Sequence, residues 1–369
     1  MLFYYILLFI ITTIGIISEK KGNKGKNIFI IFIFNILLFL YTVRNKTVGW
    51  DTIPYIQYFY NAKDDTIFGS YMEPGWVFLM KSIYKISNQY SVMFFVCGLI
   101  GMTVFFYTIK KMSVNPIYSI VLYYMFGNWF ALMNQTRTQI SVGICMLSFY
   151  YLFQKKYLKS FIIVLIAFFI HQSALIFIPF ILFDIFIKKY SWKVDLLIGT
   201  GTLFLFVLYS PVYKFVTKYY YTTYTTTNSL IRHTKEGNLK IFFAFLLIYI
   251  LLRYIDLHTY KKIDINSNNK NFNIVNKRMK KLLYTAILFS LGIQFISKNN
   301  AMIARFSNYF SIYFILLIPL IFQQIDNKRV RKQYIILIYI FLLLYMAVYL
   351  KFSENGFGRD GVIPYLLKK

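Results

Sequence analysis

Residues 128–180 read NWFALMNQTRTQISVGICMLSFYYLFQKKYLKSFIIVLIAFFIHQSALIFIPF. Two apolar stretches flank the polar interruption NQTRTQ, which carries Arg137. A lysine-bearing turn, QKKYLK, then leads into an apolar run, 160–187, which is 28 residues long. A membrane-crossing helix needs only about 20 residues, so this run is too long for one ordinary span. It also has His171-Gln172-Ser173 near its middle and Pro179 beyond them. Basic clusters stand at both ends, Lys155, Lys156 and Lys159 before and Lys188, Lys189 and Lys193 after. A broken helical hairpin around His171 keeps both clusters on one side. Such breaks are tolerated at membrane depth where they line a protein cavity. Ionisable groups in or beside hydrocarbon are costly, which makes Arg137 and His171 functional candidates.

The rest of the chain fits that frame. Of its 369 residues, 58% are hydrophobic and 21% aromatic, against about 45–50% apolar in a soluble domain. The fold class expected is an all-α polytopic integral membrane protein. Its net charge of +28 is explained by lysine- and arginine-rich loops that hold themselves in the cytoplasm. No basic domain stands free of the helices, which argues against a nucleic-acid partner. Cys97 and Cys145 both lie in apolar helices, and no C-x-x-C or His/Cys cluster indicates a metal or a disulfide framework. The first apolar run lacks a basic leader and a small-residue cleavage site and reads as a retained helix.

Hydropathy and the positions of Lys and Arg give about 11 spans, the hairpin and one interfacial helix. Residues 2–18 cross inward to EKKGNKGK, and 27–43 return outward. The loop 44–89 is expected outside and contains a helix at 74–88 too short and too lysine-bearing to span. The second external loop is 211–239, rich in Tyr and Thr, and the basic segment 256–281 is cytoplasmic. With no repeat and no separate soluble region, 1–369 is expected to be a single membrane domain.

This topology gathers polar candidates on the external side. Asn134, Arg137, Thr138, Ser141, Cys145 and Ser148 recur at helical spacing as one stripe. Small residues in such a stripe serve helix packing, whereas the Arg137 guanidinium is shaped for a phosphate. His171 is either a proton acceptor for a substrate hydroxyl or a histidine bonded to a backbone carbonyl freed by the break. Asp51 is either a general base or the N-cap of a helix starting at Thr52. Glu73, before Pro74-Gly75, carries the same two readings. Trp50, Tyr55 and Tyr58 suit sugar stacking as well as an aromatic belt. Arg305 opens the span ARFSNYFSIYFILLIP, and Arg232 lies in the second loop. The absence of G-x-x-x-x-G-K-[ST] and G-x-S-x-G patterns leaves nucleotide-driven pumps and α/β-hydrolases without support.

One order of features resembles the EpsG family of Wzy-type polysaccharide polymerases. It comprises Arg44 with Gly49-x-Asp51 and Tyr55, then Glu73-Pro74-Gly75, Thr136-Arg137-x-Gln139, and His171-Gln172-Ser173-Ala174-Leu175. Arg305-Phe306 with Tyr309-Phe310, and finally Ile363-Pro364-Tyr365, complete it. The resemblance implies a glycosyltransferase of the bacterial cytoplasmic membrane with its active site facing outside. It would join undecaprenyl-pyrophosphate-linked oligosaccharide repeats into an O-antigen, capsule or exopolysaccharide. Arg137 and Arg305 would hold pyrophosphate, His171 or Asp51 would activate the acceptor hydroxyl, and Arg44, Glu73, Gln139, Tyr55 and Arg232 would shape the substrate site. No cofactor is required; a divalent cation on the pyrophosphate and a chain-length regulator are additions compatible with that chemistry. The competing expectations are a lipid-linked oligosaccharide flippase, whose polar groups would run through the membrane depth, and a glycan ligase or acyltransferase sharing the same leaving group or acceptor chemistry.

Overall fold

The structure, a computed structural model, describes residues 1–63, 72–187, 196–202, 239–263, 270–299, 301–354 and 360–368. It is an all-α polytopic membrane protein: the described elements are α- and 3-10 helices, and among the described residues seven helices are long and apolar enough to cross a bilayer. Their outer faces carry large apolar side chains in the open. Leu2, Phe9, Ile16, Ile31 and Phe39 are 63% to 73% exposed. An aqueous surface would not sustain so extended an apolar face, whereas lipid covers it without penalty.

The chain forms two compact units, residues 1–178 with 325–369, and residues 179–324. The first begins with α1 (Leu2–Glu19) and α2 (Gly22–Val43). It continues through α3 (Thr52–Asn61), α4 (Pro74–Ile86) and α5 (Tyr90–Met112), then α6 (Pro116–Met125), α7 (Asn128–Asn134), α8 (Thr136–Phe153) and α9 (Tyr157–Ile170). At about 1.5 Å per residue, the 13 residues of α4 fall short of a bilayer. The apolar stretch from Pro116 to Asn134 is divided by Gly127, whose φ of +80° suits a residue without Cβ and ends α6 before α7 starts. The long run from 160 is broken at His171, where φ −157° and ψ 120° interrupt the helix before the 3-10 turn Gln172–Ile176.

Helix α8 is the centre of the first unit, and most of its length is buried. The serine stripe is spent on packing against α9. Ser148 and Ser160 share a hydroxyl contact of 2.7 Å, and Ser141 Oγ donates to Ala167 O at 3.1 Å. On another side Gly143 lies against Phe105 of α5. These are the close, small-residue contacts by which helices associate without a hydrophobic driving force. The helix Lys328–Glu354 joins this unit through Tyr345, which packs on Phe126, and Tyr349, which packs on Phe130.

In the second unit the helix Phe177–Phe186 brings Asp184 to the helix Lys270–Ile296. Asp184, 2% exposed at its side chain, accepts from Lys281 Nζ at 2.8 Å and Arg278 at 2.9 Å. Lys280 of the same helix reaches Asp256 at 2.7 Å. The basic segment 256–281 is thereby anchored at its described ends, and the helices 239–263 and 270–296 are tied by charge as well as by packing. Removing one member of a buried pair leaves an uncompensated charge and costs about 3–5 kcal/mol. Asp184→Ala is therefore expected to lower the melting temperature of the detergent-solubilised protein well below that of Asp184→Glu.

Candidate functional site

The site is built where α4, α8 and the break after α9 meet. Pro74 occupies the first turn of α4, where its missing N–H is no loss, and leaves Glu73 as the extended N-cap residue. The Glu73 side chain makes no capping bond to its own helix. It turns instead to two other elements. Oε2 accepts from Arg137 at 2.7 Å, and Oε1 lies 2.7 Å from His171 Nδ1 and accepts the Gln172 backbone N–H at 3.0 Å. Arg137 also contacts Met72 Sδ at 2.6 Å.

Backbone geometry permits this meeting. Gly75 stands against α9 so closely that a Cβ there would lie 2.6 Å from Phe169 O. Any larger residue would drive α4, and Glu73 with it, away from His171. The break after Ile170 frees the Gln172 N–H, which an unbroken helix would have bonded to its own turn. The Glu73 side chain is 7% exposed, while Arg137 and His171 are 19% and 21% exposed. The carboxylate is thus nearly enclosed, and its two basic partners form the accessible rim.

Burial alone would raise the Glu73 pKa. The hydrogen bond with His171, the charges of Arg137 and His171 and the Gln172 N–H more than offset that, holding it at about 2 instead of 4.5. A carboxyl so held keeps His171 in the tautomer with Nδ1–H toward Glu73, which in the neutral ring puts the lone pair on Nε2.

The other expected residues have different positions. Asp51 is at the N-cap of α3, but its side chain makes no capping bond; its backbone N–H donates to Asn134 Oδ1 at 2.8 Å. Tyr55 is buried, its ring 5.5 Å from that of Trp76, and so docks α3 on α4. Arg44, expected at the substrate, is instead enclosed, at 1% exposure. Its guanidinium lies 3.8 Å from the Tyr41 ring and 3.9 Å from that of Phe94, and it donates to Tyr41 O and Met133 O. Two π faces and two carbonyls thus surround its charge. Gln139 is wholly buried with neither amide atom bonded to protein, and at two residues from Arg137 it points about 160° away around the helix. Arg305 is in the second unit, within the 3-10 segment Ala301–Ser307. Arg232 lies outside the described residues. No group of three or more His, Cys, Asp or Glu suited to a metal occurs among the described residues.

Sequence reading does not join Glu73 to Arg137 and His171 as one cluster; it places Asn134 only in the polar stripe and misses Met72, Gln135 and Asp360. The usable signal was Glu-Pro-Gly, which joins an acid, a helix start and a residue without a side chain.

The description of the EpsG family, a family of Wzy-like polysaccharide polymerases, matches residues 27–367, essentially the whole chain. No curated protein and no solved structure matches it.

The depressed Glu73 pKa has a testable sign. Its contribution to stability is complete above about pH 4.5 and declines as the pH falls toward 2. The melting-temperature gap between wild type and Glu73→Gln should therefore be widest near neutrality and narrow on acidification through that window.

Proposed function

Because the chain belongs to the EpsG family, we propose that it joins oligosaccharide repeats carried on a lipid pyrophosphate, on the external face of the cytoplasmic membrane, with the Glu73–Arg137–His171 cluster as the reaction centre. The observation that carries this reading is the pairing of one near-enclosed carboxylate with two partly exposed basic side chains at 2.7 Å each. In that reaction an acceptor-sugar hydroxyl attacks the anomeric carbon of the lipid-linked chain. Its proton passes to His171 Nε2, a C–O bond forms, and the electron pair of the breaking C–O bond leaves with the pyrophosphate.

Each residue has a part suited to its surroundings. Glu73 orients the His171 ring and stabilises the imidazolium that forms, as a buried carboxylate does for a histidine base. The Arg137 guanidinium faces the increasing negative charge on the leaving pyrophosphate. Met72, beside the guanidinium, and the α7–α8 corner at Asn134 and Gln135 limit where that charge can sit. The leaving group is already activated, so orientation and charge supply most of the rate enhancement. Asp51 is the alternative base, held near the start of α8 by Asn134.

The external orientation is supported by the distribution of basic residues, with Lys20 and Lys21 between α1 and α2, and Lys24 and Lys26 at the start of α2, on the opposite side from the Arg137 end. A flippase would need polar groups spread through the depth of the bundle, whereas the stripe below Arg137 is consumed by helix packing.

The test is the polymer. Deleting the chromosomal gene should leave single lipid-linked repeats, and a wild-type copy should restore long glycan. Arg137→Ala and His171→Ala, present in the membrane at wild-type amounts, should fail to restore it, with losses of at least about 10²-fold. Long glycan that persists in the deletion but is not attached or exported would overturn polymerisation in favour of ligation or transport.

A further inference from the structure

The chain's last described segment, 360–368, lies against the loop that follows α2. Asn45 N–H donates to Leu366 O at 2.7 Å, and Lys368 N–H donates to Val43 O at 2.8 Å. Gly49 N–H donates to Gly361 O at 2.9 Å. From the other side Tyr4 Oη donates to Val362 O at 2.5 Å and Tyr365 Oη to Leu40 O at 2.6 Å. The segment is a strap across the ends of α1 and α2.

At its start is a carboxylate with no solvent exposure, Asp360. Its Oδ1 accepts from Asn134 Nδ2 at 2.8 Å and Gln135 Nε2 at 3.1 Å, and its Oδ2 accepts from Tyr349 Oη. Asn134 is the last residue of α7, and Gln135 follows it before the start of α8. Gln135, at φ −97° and ψ 49°, is the only residue separating the two helices. Arg137 is in the first turn of α8. The same Asn134 that donates to Asp360 accepts the Asp51 N–H.

We propose that Asp360 is a positioning residue for the candidate site, an inference that rests on the polymerase reading above. Through Gln135 and Asn134 it fixes the direction in which α8 starts, and with it the Arg137 guanidinium. Through Asn134 it also fixes the backbone at Asp51. Its partners are amides and a phenol, so its effect on the reaction is exerted through them. Three acceptor contacts on one carboxylate, made by residues 226, 225 and 11 positions away in sequence, are what hold the strap, the α7–α8 corner and the C-terminal helix in a single geometry.

The experiment uses the full-length protein carrying Val48→Cys as a reporter. Val48 is wholly buried under the strap-bound loop, and the native Cys97 and Cys145 are buried as well. Asp360→Ala removes all three acceptor contacts. Asp360→Asn keeps an oxygen for both amides and offers an N–H to the Tyr349 oxygen. With a membrane-impermeant maleimide, Asp360→Ala is expected to label about ten-fold faster than the reporter alone, and Asp360→Asn at about the reporter's rate. Chain extension per inserted molecule should fall by about 10²-fold in Asp360→Ala, as expected for a displaced charge, and be restored in Asp360→Asn. Should Asp360→Ala fail to accumulate, Gln135→Ala and Tyr349→Phe, each removing one contact, should show the same two changes in smaller measure.

Unchanged labelling in these variants would overturn the inference. Faster labelling with unaltered extension per molecule would also overturn it, reducing the strap to packing. If the wild-type protein extends no chain, the polymerase reading fails and the positioning role fails with it, while the labelling rates alone still report whether Asp360 holds the loop.

Discussion

Glu73 is the constraint on which the first unit's polar architecture depends. A carboxylate buried to this degree cannot remain ionised without compensation, because the charge loses its hydration. The chain supplies that compensation from two distant segments, Arg137 from the start of α8 and His171 with the Gln172 N–H from the break after α9. None of the three elements can shift independently without leaving a charge or a freed backbone donor unsatisfied. The helix break, a local loss of hydrogen bonding, becomes tolerable because its orphan N–H has an anion to bond.

The surrounding helices serve this arrangement. The serine contacts between α8 and α9 fix the register at which Arg137 and His171 arrive at the same level. Gly75 lets α4 approach α9 closely enough for the carboxylate to reach both. Arg44 has a different part from the one its charge suggests. Clasped between two aromatic rings and bonded to carbonyls of α2 and α7, it ties those helices together beneath the α7–α8 corner. A buried cation surrounded by π faces and carbonyls is costly to place, and it marks a junction that has little freedom to move.

Much of this was legible in the sequence, because a bilayer imposes strong rules. Long apolar runs bounded by lysines could be read as helices, and His171 inside an overlong run announced the break that the structure contains. Arg137, Glu73 and His171 were each conspicuous, since a charge near hydrocarbon is costly. What could not be read was their pairing, because Glu73 and His171 are 98 residues apart and only the packing of α4 on α9 joins them. Tyr55 and Arg44 looked like ligand contacts for the converse reason. Their chemistry suits sugars and phosphates, but it suits a neighbouring tryptophan or a pair of aromatic rings equally well, and packing decides between them. Asp360 was hidden by its setting in a Gly-rich tail that carries no hydropathy signal at all.

The most direct measurement is the rate of chain extension by purified protein on a defined lipid-pyrophosphate oligosaccharide, compared across Glu73→Gln, Arg137→Ala and the double variant. If Glu73 and Arg137 act as one unit, each single change should cost at least about 10²-fold and the double variant should be little worse than either. A Glu73→Gln protein that extends chains at the wild-type rate, or losses that simply multiply in the double variant, would contradict the account.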